Sequence, residues 1–258
     1  MDSLFGICNL TAVPLRAEPS DRSEMVSQLL FGDHFQIIEA TVKWTKVITG
    51  YDDYEGWIDS KQYVLVSKES YEKFEQAQIL SGLASENQLN GEFEASVRLV
   101  PGSSLLHEKS FTTAELAFHV KGQTVRMGEP DFKTELERYA KFYLNSPYLW
   151  GGKTPFGIDC SGFCQVVFKF FGIRLKRDAS QQAAQGMVVD FLQNASTGDL
   201  AFFDNEEGRI IHVGIMLGNS QIIHASGKVR IDSIDNQGIY NEDTGKHTHK
   251  LRIIKRYV

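Results

Sequence analysis

Apolar positions recur along this chain with two different periods, and the changes of period divide it. Up to about residue 66 they come in short runs, Phe35-Gln36-Ile37-Ile38, Trp44-Thr45-Lys46-Val47-Ile48 and Gly56-Trp57-Ile58, separated by turn formers at Gly32-Asp33, Gly50 and Asp52-Asp53. Such runs predict the strands of a small β domain over residues 1–66. From Ser67 to about Ala77 the spacing of Tyr71 and Phe74 in a polar stretch predicts a connecting helix within residues 67–78. Short runs return over residues 79–128, among them Ser96-Val97-Arg98-Leu99-Val100 and Leu116-Ala117-Phe118-His119-Val120, broken by Pro101-Gly102. They read as a second small β unit, or more plainly as an irregular β insert.

Helical periodicity opens the remainder, residues 129–258. Pro130-Asp131 starts a helix whose apolar face is Leu136, Tyr139, Ala140, Tyr143 and Leu144, ending near Asn145. Asp159 is a good N-cap, and behind it Phe163, Val166, Val167, Phe170 and Phe171 recur at helical spacing until Gly172 offers a stop. This predicts a buried helix opened by Cys160. Asp178 caps a short helix ending at Gly186, and Gly198-Asp199-Leu200-Ala201-Phe202-Phe203 begins a sheet that closes with Leu251-Arg252-Ile253-Ile254. Between them, Ile210-Ile211-His212-Val213-Gly214-Ile215 and Ile222-Ile223-His224-Ala225 flank the turn signal Gly218-Asn219-Ser220. A three-residue loop at Leu217 to Asn219 sets His212 directly opposite His224 on one face, whereas a two-residue loop puts them on opposite faces.

Composition changes this picture little. With 258 residues, 42% hydrophobic and 23% charged, the chain has room for more than one domain and a sizeable core. The excess of 33 acidic over 27 basic residues, with no cluster of Lys or Arg, argues against a nucleic-acid partner. No run approaches bilayer length, and the opening residues lack a basic stretch followed by a long apolar core. The expected location is therefore the cytoplasm, with export as the alternative if a leader has been removed. Three cysteines cannot all pair, so no disulfide framework is expected, and Cys8 and Cys164 read as small buried apolar side chains. No cofactor is expected, and nothing in the pattern indicates an oligomeric state.

Candidate chemistry centres on Cys160. At a helix start, unpaired N–H groups and the positive end of the helix dipole favour a thiolate, the form of cysteine that attacks carbonyls. A nucleophile needs a base and the base an orienting partner, roles that His212 and His224 fill without the usual aspartate. Two plainer readings stand beside this. Zinc could take one thiolate and two imidazoles, though no fourth ligand is evident, and His224 could be a satisfied core histidine. His247 and His249, flanking Thr248 in a polar stretch, read as solvent-exposed.

Taken together, Tyr148-Leu149-Trp150-Gly151-Gly152, Asp159-Cys160-Ser161-Gly162, His212-Val213-Gly214-Ile215 and His224-Ala225 resemble the NlpC/P60 cysteine peptidases of bacterial cell-wall metabolism, over roughly the C-terminal half. The N-terminal segment resembles a bacterial SH3 domain through Val13-Pro14-Leu15-Arg16-Ala17-Glu18-Pro19, Gln28-Leu29-Leu30-Phe31-Gly32-Asp33 and Tyr54-Glu55-Gly56-Trp57-Ile58. The implied fold is α+β: a papain-like core over residues 129–258, with the cysteine helix against an antiparallel sheet, preceded by one or two small SH3-like barrels over residues 1–66 and 79–128. The resemblance also implies a phenolic oxyanion donor at Tyr148, with Asp159 and Ser161 beside the nucleophile. It places Asp178 near the substrate's amino terminus, with a glutamate and a tyrosine from the first SH3-like domain, for which Glu18 and Tyr54 are the candidates. Plainer roles exist for each: Tyr148 packed beside Trp150, Asp178 as an N-cap, Glu18 as a solvated charge and Tyr54 as a surface aromatic.

Two SH3-like segments before such a core resemble the γ-D-glutamyl-L-diamino acid endopeptidases of the dipeptidyl-peptidase VI type. That implies hydrolysis of the bond between γ-D-glutamate and diaminopimelate or lysine, in murein-derived peptides with a free N-terminal L-alanine, as a recycling step. Lys153 and Arg177 are candidates, by proximity in sequence, for meeting the substrate's carboxylates. The alternatives are a wall-degrading endopeptidase or amidase, an acyltransferase on the same Cys and His residues, or a murein-binding module.

Overall fold

The alternating runs near the N-terminus become strands. In the computed structural model, which describes residues 4–84, 86–91, 96–113, 116–218 and 220–258, seven of them form an antiparallel sheet. Its order is Met25–Leu30, Ala12–Arg16, Glu55–Asp59, Trp44–Thr49, His34–Ala40, Leu4–Ile7, Val64–Val66. Because side chains alternate across a strand, Val13 and Leu15 point inward together and meet Cys8, Leu29, Phe35, Val47 and Ile58. Each large side chain so buried contributes about 1.5–3 kcal/mol of transfer free energy. Helix α1 (Lys68–Glu75) follows, capped by Ser67, whose hydroxyl accepts from the Ser70 N–H. Its Tyr71 ring packs on Phe5 at 4.5 Å.

Residues 79–126 build two further sheets, one of four strands and one of three. Ile79, Leu89, Leu99, Leu105 and Phe118 form their shared core, and Phe31, in the turn after Met25–Leu30, completes it. All of this belongs to one compact unit, residues 1–130 together with 150–154. Residues 150–154 sit in sequence within the segment read as the C-terminal domain. They group with the N-terminal unit because Trp150 Nε1 donates to Glu24 at 2.6 Å and the Lys153 N–H donates to Gln28 at 2.8 Å.

The second unit comprises residues 131–149 and 155–258. Helix α2 (Phe132–Lys141) is capped by Asp131 and buries Leu136, Tyr139 and Ala140. It stops short of Asn145 because Tyr143 and Leu144 close tighter turns onto the carbonyls of Ala140 and Lys141. Helix α3 (Cys160–Phe170) is buried along its whole length. Gly172, at φ +74, ends it: the Ile173 N–H reaches the Phe168 carbonyl and the Gly172 N–H that of Lys169, the paired bonds of a Schellman turn. Helix α4 (Ala179–Ala183) starts at Asp178, whose N–H donates back to Gln181.

The sheet of this unit runs Met187–Val189, Lys246–Arg256, Leu200–Asp204, Ile210–Gly218, Gln221–Ser226, Lys228–Ile234, Gly238–Asn241, and the last strand also pairs with Lys246–Arg256. Six strands therefore close on themselves around Ala201, Phe203, Met216, Ile222, Ile234, Ile239 and Ile254. The closing strand is longer than its apolar signal Leu251–Ile254, since Lys246 to Lys250 are exposed for the most part but still pair with Gly238–Asn241. Among the described residues no helix is long and apolar enough to cross a membrane.

Candidate active site

The start of α3 is fixed by one carboxylate. Asp159 takes an extended backbone, and its Oδ1 accepts from the Gly162 N–H at 2.6 Å, so the helix begins at Cys160. Arg177 grips the same carboxylate at both oxygens, 3.1 Å from Nη1 to Oδ1 and 2.5 Å from Nη2 to Oδ2, and Nη1 also donates to Ser161 Oγ at 2.9 Å. Its side chain is 1% exposed. Arg177 is thus spent inside the fold, which corrects its assignment as a cation for the substrate. Lys153 is also buried, with Nζ 3.8 Å from Asp33. Gln182 of α4 ties the helix start further, donating to the Ser161 carbonyl at 3.0 Å.

Cys160 is 5% exposed. Burial pushes its thiol up to about 12, and the nearby Asp159 carboxylate adds to the shift. The N–H groups of Val213 and Ser161 and the Arg177 charge pull the other way and do not prevail. Against the expected thiolate, desolvation outweighs the helix start and favours the neutral thiol.

The histidines share one face, by a different register from the expected one. His224 lies opposite Gly214, so His212 is its diagonal neighbour, offset by two residues along the strand. Gly218 pairs with Gln221, and a bulge between Met216 and Gly218 puts both histidines on the common face. The expected loop at Leu217 to Asn219 includes Asn219, which lies outside the described residues. Gly214 permits the pairing: a Cβ there would stand 2.8 Å from His224 Cβ and 2.7 Å from Ile222 Cδ1.

Diagonal neighbours with long side chains can touch, and these do. His212 Nε2 lies 2.9 Å from His224 Nδ1, and His224 Nε2 lies 3.0 Å from Asp232 Oδ2 on the next strand. Arg230 holds the other Asp232 oxygen at 2.7 Å and reaches Asp243 at 2.9 Å. These bonds occupy nitrogens that a zinc ion would need. Burial lowers the His212 pKa well below the ordinary value, with His224 and His249 adding to the effect, so the ring is a neutral base. Burial works against the Asp232 carboxylate, yet bonds from His224 and Arg230 hold it below the ordinary carboxylate range.

His249 is not the solvent-exposed residue expected. Its ring stacks on His212 at 4.2 Å and 26°, and burial lowers its pKa to about 4, so it too is neutral. His247 is exposed but bonds Asp235 at 2.9 Å. The Tyr148 phenol is half-buried, and burial, then Cys160 and Asp159, raise its pKa, which keeps it a donor. Asp178 is half-buried at the start of α4. In the N-terminal unit Glu18 is exposed, while Tyr54 is half-buried against the barrel core.

The NlpC/P60 family pattern matches residues 145–248, and that of the bacterial dipeptidyl-peptidase Sh3 domain matches residues 15–62. Dipeptidyl-peptidase 6 of Lysinibacillus sphaericus is 30% identical over 257 residues, covering 89% of this chain and 92% of that protein. The chain belongs to the NlpC/P60 family. It is a cysteine peptidase of that family, with an SH3-like domain before the α+β catalytic fold. The γ-D-glutamyl-L-lysine dipeptidyl-peptidase of Bacillus subtilis (strain 168) is also 30% identical, over 77% of this chain and 71% of its own. A solved NlpC/P60 family protein from Bacillus cereus ATCC 10987 shares the fold, with a TM-score of 0.78 at 20% identity over 98% of this chain and 99% of that one.

For this NlpC/P60 peptidase, pattern reading named Cys160, His212 and His224 but missed Asp232, Arg230 and His249. Asp232 carried a signal. In Val229-Arg230-Ile231-Asp232-Ser233-Ile234 it shares the parity of Ile234, a buried position of the sheet core, and a carboxylate at an inward position needs a partner.

Proposed function

We propose that this peptidase hydrolyses the bond between γ-D-glutamate and an L-diamino acid in murein-derived peptides with a free N-terminal L-alanine, as a recycling step in the cytoplasm. The observation that carries the reading is the likeness to dipeptidyl-peptidases across both the SH3-like and catalytic segments. Two of these relatives are named for γ-D-glutamyl-L-lysine. The raised Cys160 thiol and the neutral His212 imidazole suit the chemistry.

Cys160 Sγ attacks the carbonyl carbon as its proton passes to His212. The Tyr148 phenol and the Cys160 N–H stabilise the tetrahedral oxyanion. The His212 imidazolium then protonates the departing amine, the C–N bond breaks and a thioester remains. Water, deprotonated by the same histidine, releases the acid and restores the thiol. His224 keeps His212 oriented, and Asp178 is assigned to the substrate's ammonium group.

The test is mass spectrometry of L-Ala-γ-D-Glu-meso-diaminopimelate and its lysine counterpart after incubation, beside their N-acetyl forms and intact murein. The expected result is release of L-Ala-γ-D-Glu, with roughly two decades of kcat/KM lost on acetylation. Equal rates on free and acetylated peptides would favour a wall-degrading endopeptidase instead.

A further inference from the structure

Three adjacent strands present His212, His224 and Asp232 as successive diagonal neighbours, and their contacts determine where the protons sit. An ionised carboxylate can only accept, so the Asp232 contact at 3.0 Å puts a hydrogen on His224 Nε2. A 2.9 Å contact joins His224 Nδ1 to His212 Nε2, and with His224 Nδ1 as the acceptor the two contacts form one donor-to-acceptor run from His212 to Asp232. In that run His212 carries its hydrogen on Nε2, which leaves the lone pair on Nδ1. Arg230, bonded to the second Asp232 oxygen and to Asp243, anchors the carboxylate for this contact.

We propose that Asp232 is a positioning residue of the peptidase reaction: acting through His224, it sets the His212 tautomer so that Nδ1 is the proton-accepting atom, and it stabilises the imidazolium formed as Cys160 attacks. This rests on the assignment of Cys160 and His212 as nucleophile and base. Asp232 touches neither. It is 6% exposed and sits beyond His224, a strand away from the base. The other titratable group facing the pair is His249 from the closing strand, stacked on His212, while Cys160 at the start of α3 accepts from the N–H of Val213, the residue after His212. His249 is uncharged at neutral pH, so Asp232 is the anion that the imidazole pair hydrogen-bonds.

Two measurements test this. In the wild type, 15N resonances of the histidine rings should show hydrogen on Nε2 and none on Nδ1 for both His212 and His224. A hydrogen on His212 Nδ1 would overturn the proposal without any appeal to activity. Kinetically, Asp232→Ala should lower kcat about 10- to 100-fold with KM little changed. The isosteric Asp232→Asn removes the charge and should move the acid limb of kcat/KM to lower pH, since the imidazolium loses its counter-ion. Asp232→Glu should recover part of the rate. Wild-type kcat and an unmoved acid limb in a folded Asp232→Asn protein would overturn the role, while an inactive Cys160→Ala control would show that the thiol mechanism itself still stands.

Discussion

At Cys160 two local effects compete. The helix start and adjacent N–H groups favour a thiolate, while burial and Asp159 oppose it and win. Alkylation by iodoacetamide should accordingly be slower than for an exposed thiol at neutral pH and should accelerate as pH rises towards 12. Fast, pH-independent modification near pH 7 would show a resident thiolate. Cys160→Ala should lose roughly four decades of kcat or more. Because His212 is already neutral well below 6.5, the acid limb of kcat/KM should fall below that value. His212→Ala should lose nearly all turnover, whereas His224→Gln, still able to accept a hydrogen bond from His212, should keep a measurable fraction. Full activity in the His224 variant would remove its orienting role. Cys160 was legible from the helix start that Asp159 caps, and both histidines because each interrupts an apolar run. Arg177 was not, since its partners Asp159 and Ser161 lie a helix away in sequence.

Among the elements, helices were easier to read than the sheet register. The cap at Asp159 and the stop at Gly172 follow from local chemistry and stand as expected. The hairpin depends on a bulge between Met216 and Gly218, and a single inserted residue decides which side chains share a face. His249 escaped notice for a related reason. Its neighbours are polar, and it comes to His212 through the Leu200–Asp204 strand, which pairs with the closing strand on one side and the His212 strand on the other. Two substitutions test these supports. Arg177→Met removes the buried guanidinium that neutralises Asp159 and should destabilise the catalytic unit by about 3–5 kcal/mol, read from denaturant unfolding. Gly214→Ala places a Cβ 2.8 Å from that of His224, and should reduce kcat by displacing the ring even where the protein stays folded. Unchanged kcat in a folded Gly214→Ala protein would mean that the strand yields without moving His224.

For the whole molecule, buried neutral histidines couple stability to pH. In the folded state His212 and His249 hold protons less readily than at the ordinary value of 6.5, His249 down to about 4. The unfolded chain therefore takes up protons first as pH falls. Their contribution is fully present above about pH 6.5 and is lost on acidification, by at most about 1.4 kcal/mol per pH unit for each histidine. Asp232, held below 3.8, adds its own loss only below that value, so the interval between 6.5 and 4 reports the histidines. With two compact units a single melting temperature need not describe the chain. Trp44, Trp57 and Trp150 all belong to the N-terminal unit, so tryptophan emission follows the wrong one. Hydrogen exchange across Ile210–Gly218 reads the strand that carries His212. Protection there should fall between pH 6.5 and 4, and His249→Gln should make the decline shallower by removing one of the two groups that titrate. An equally steep decline in that variant would mean that His249 is protonated against His212 in the folded protein, and the stacked neutral pair would have to be abandoned.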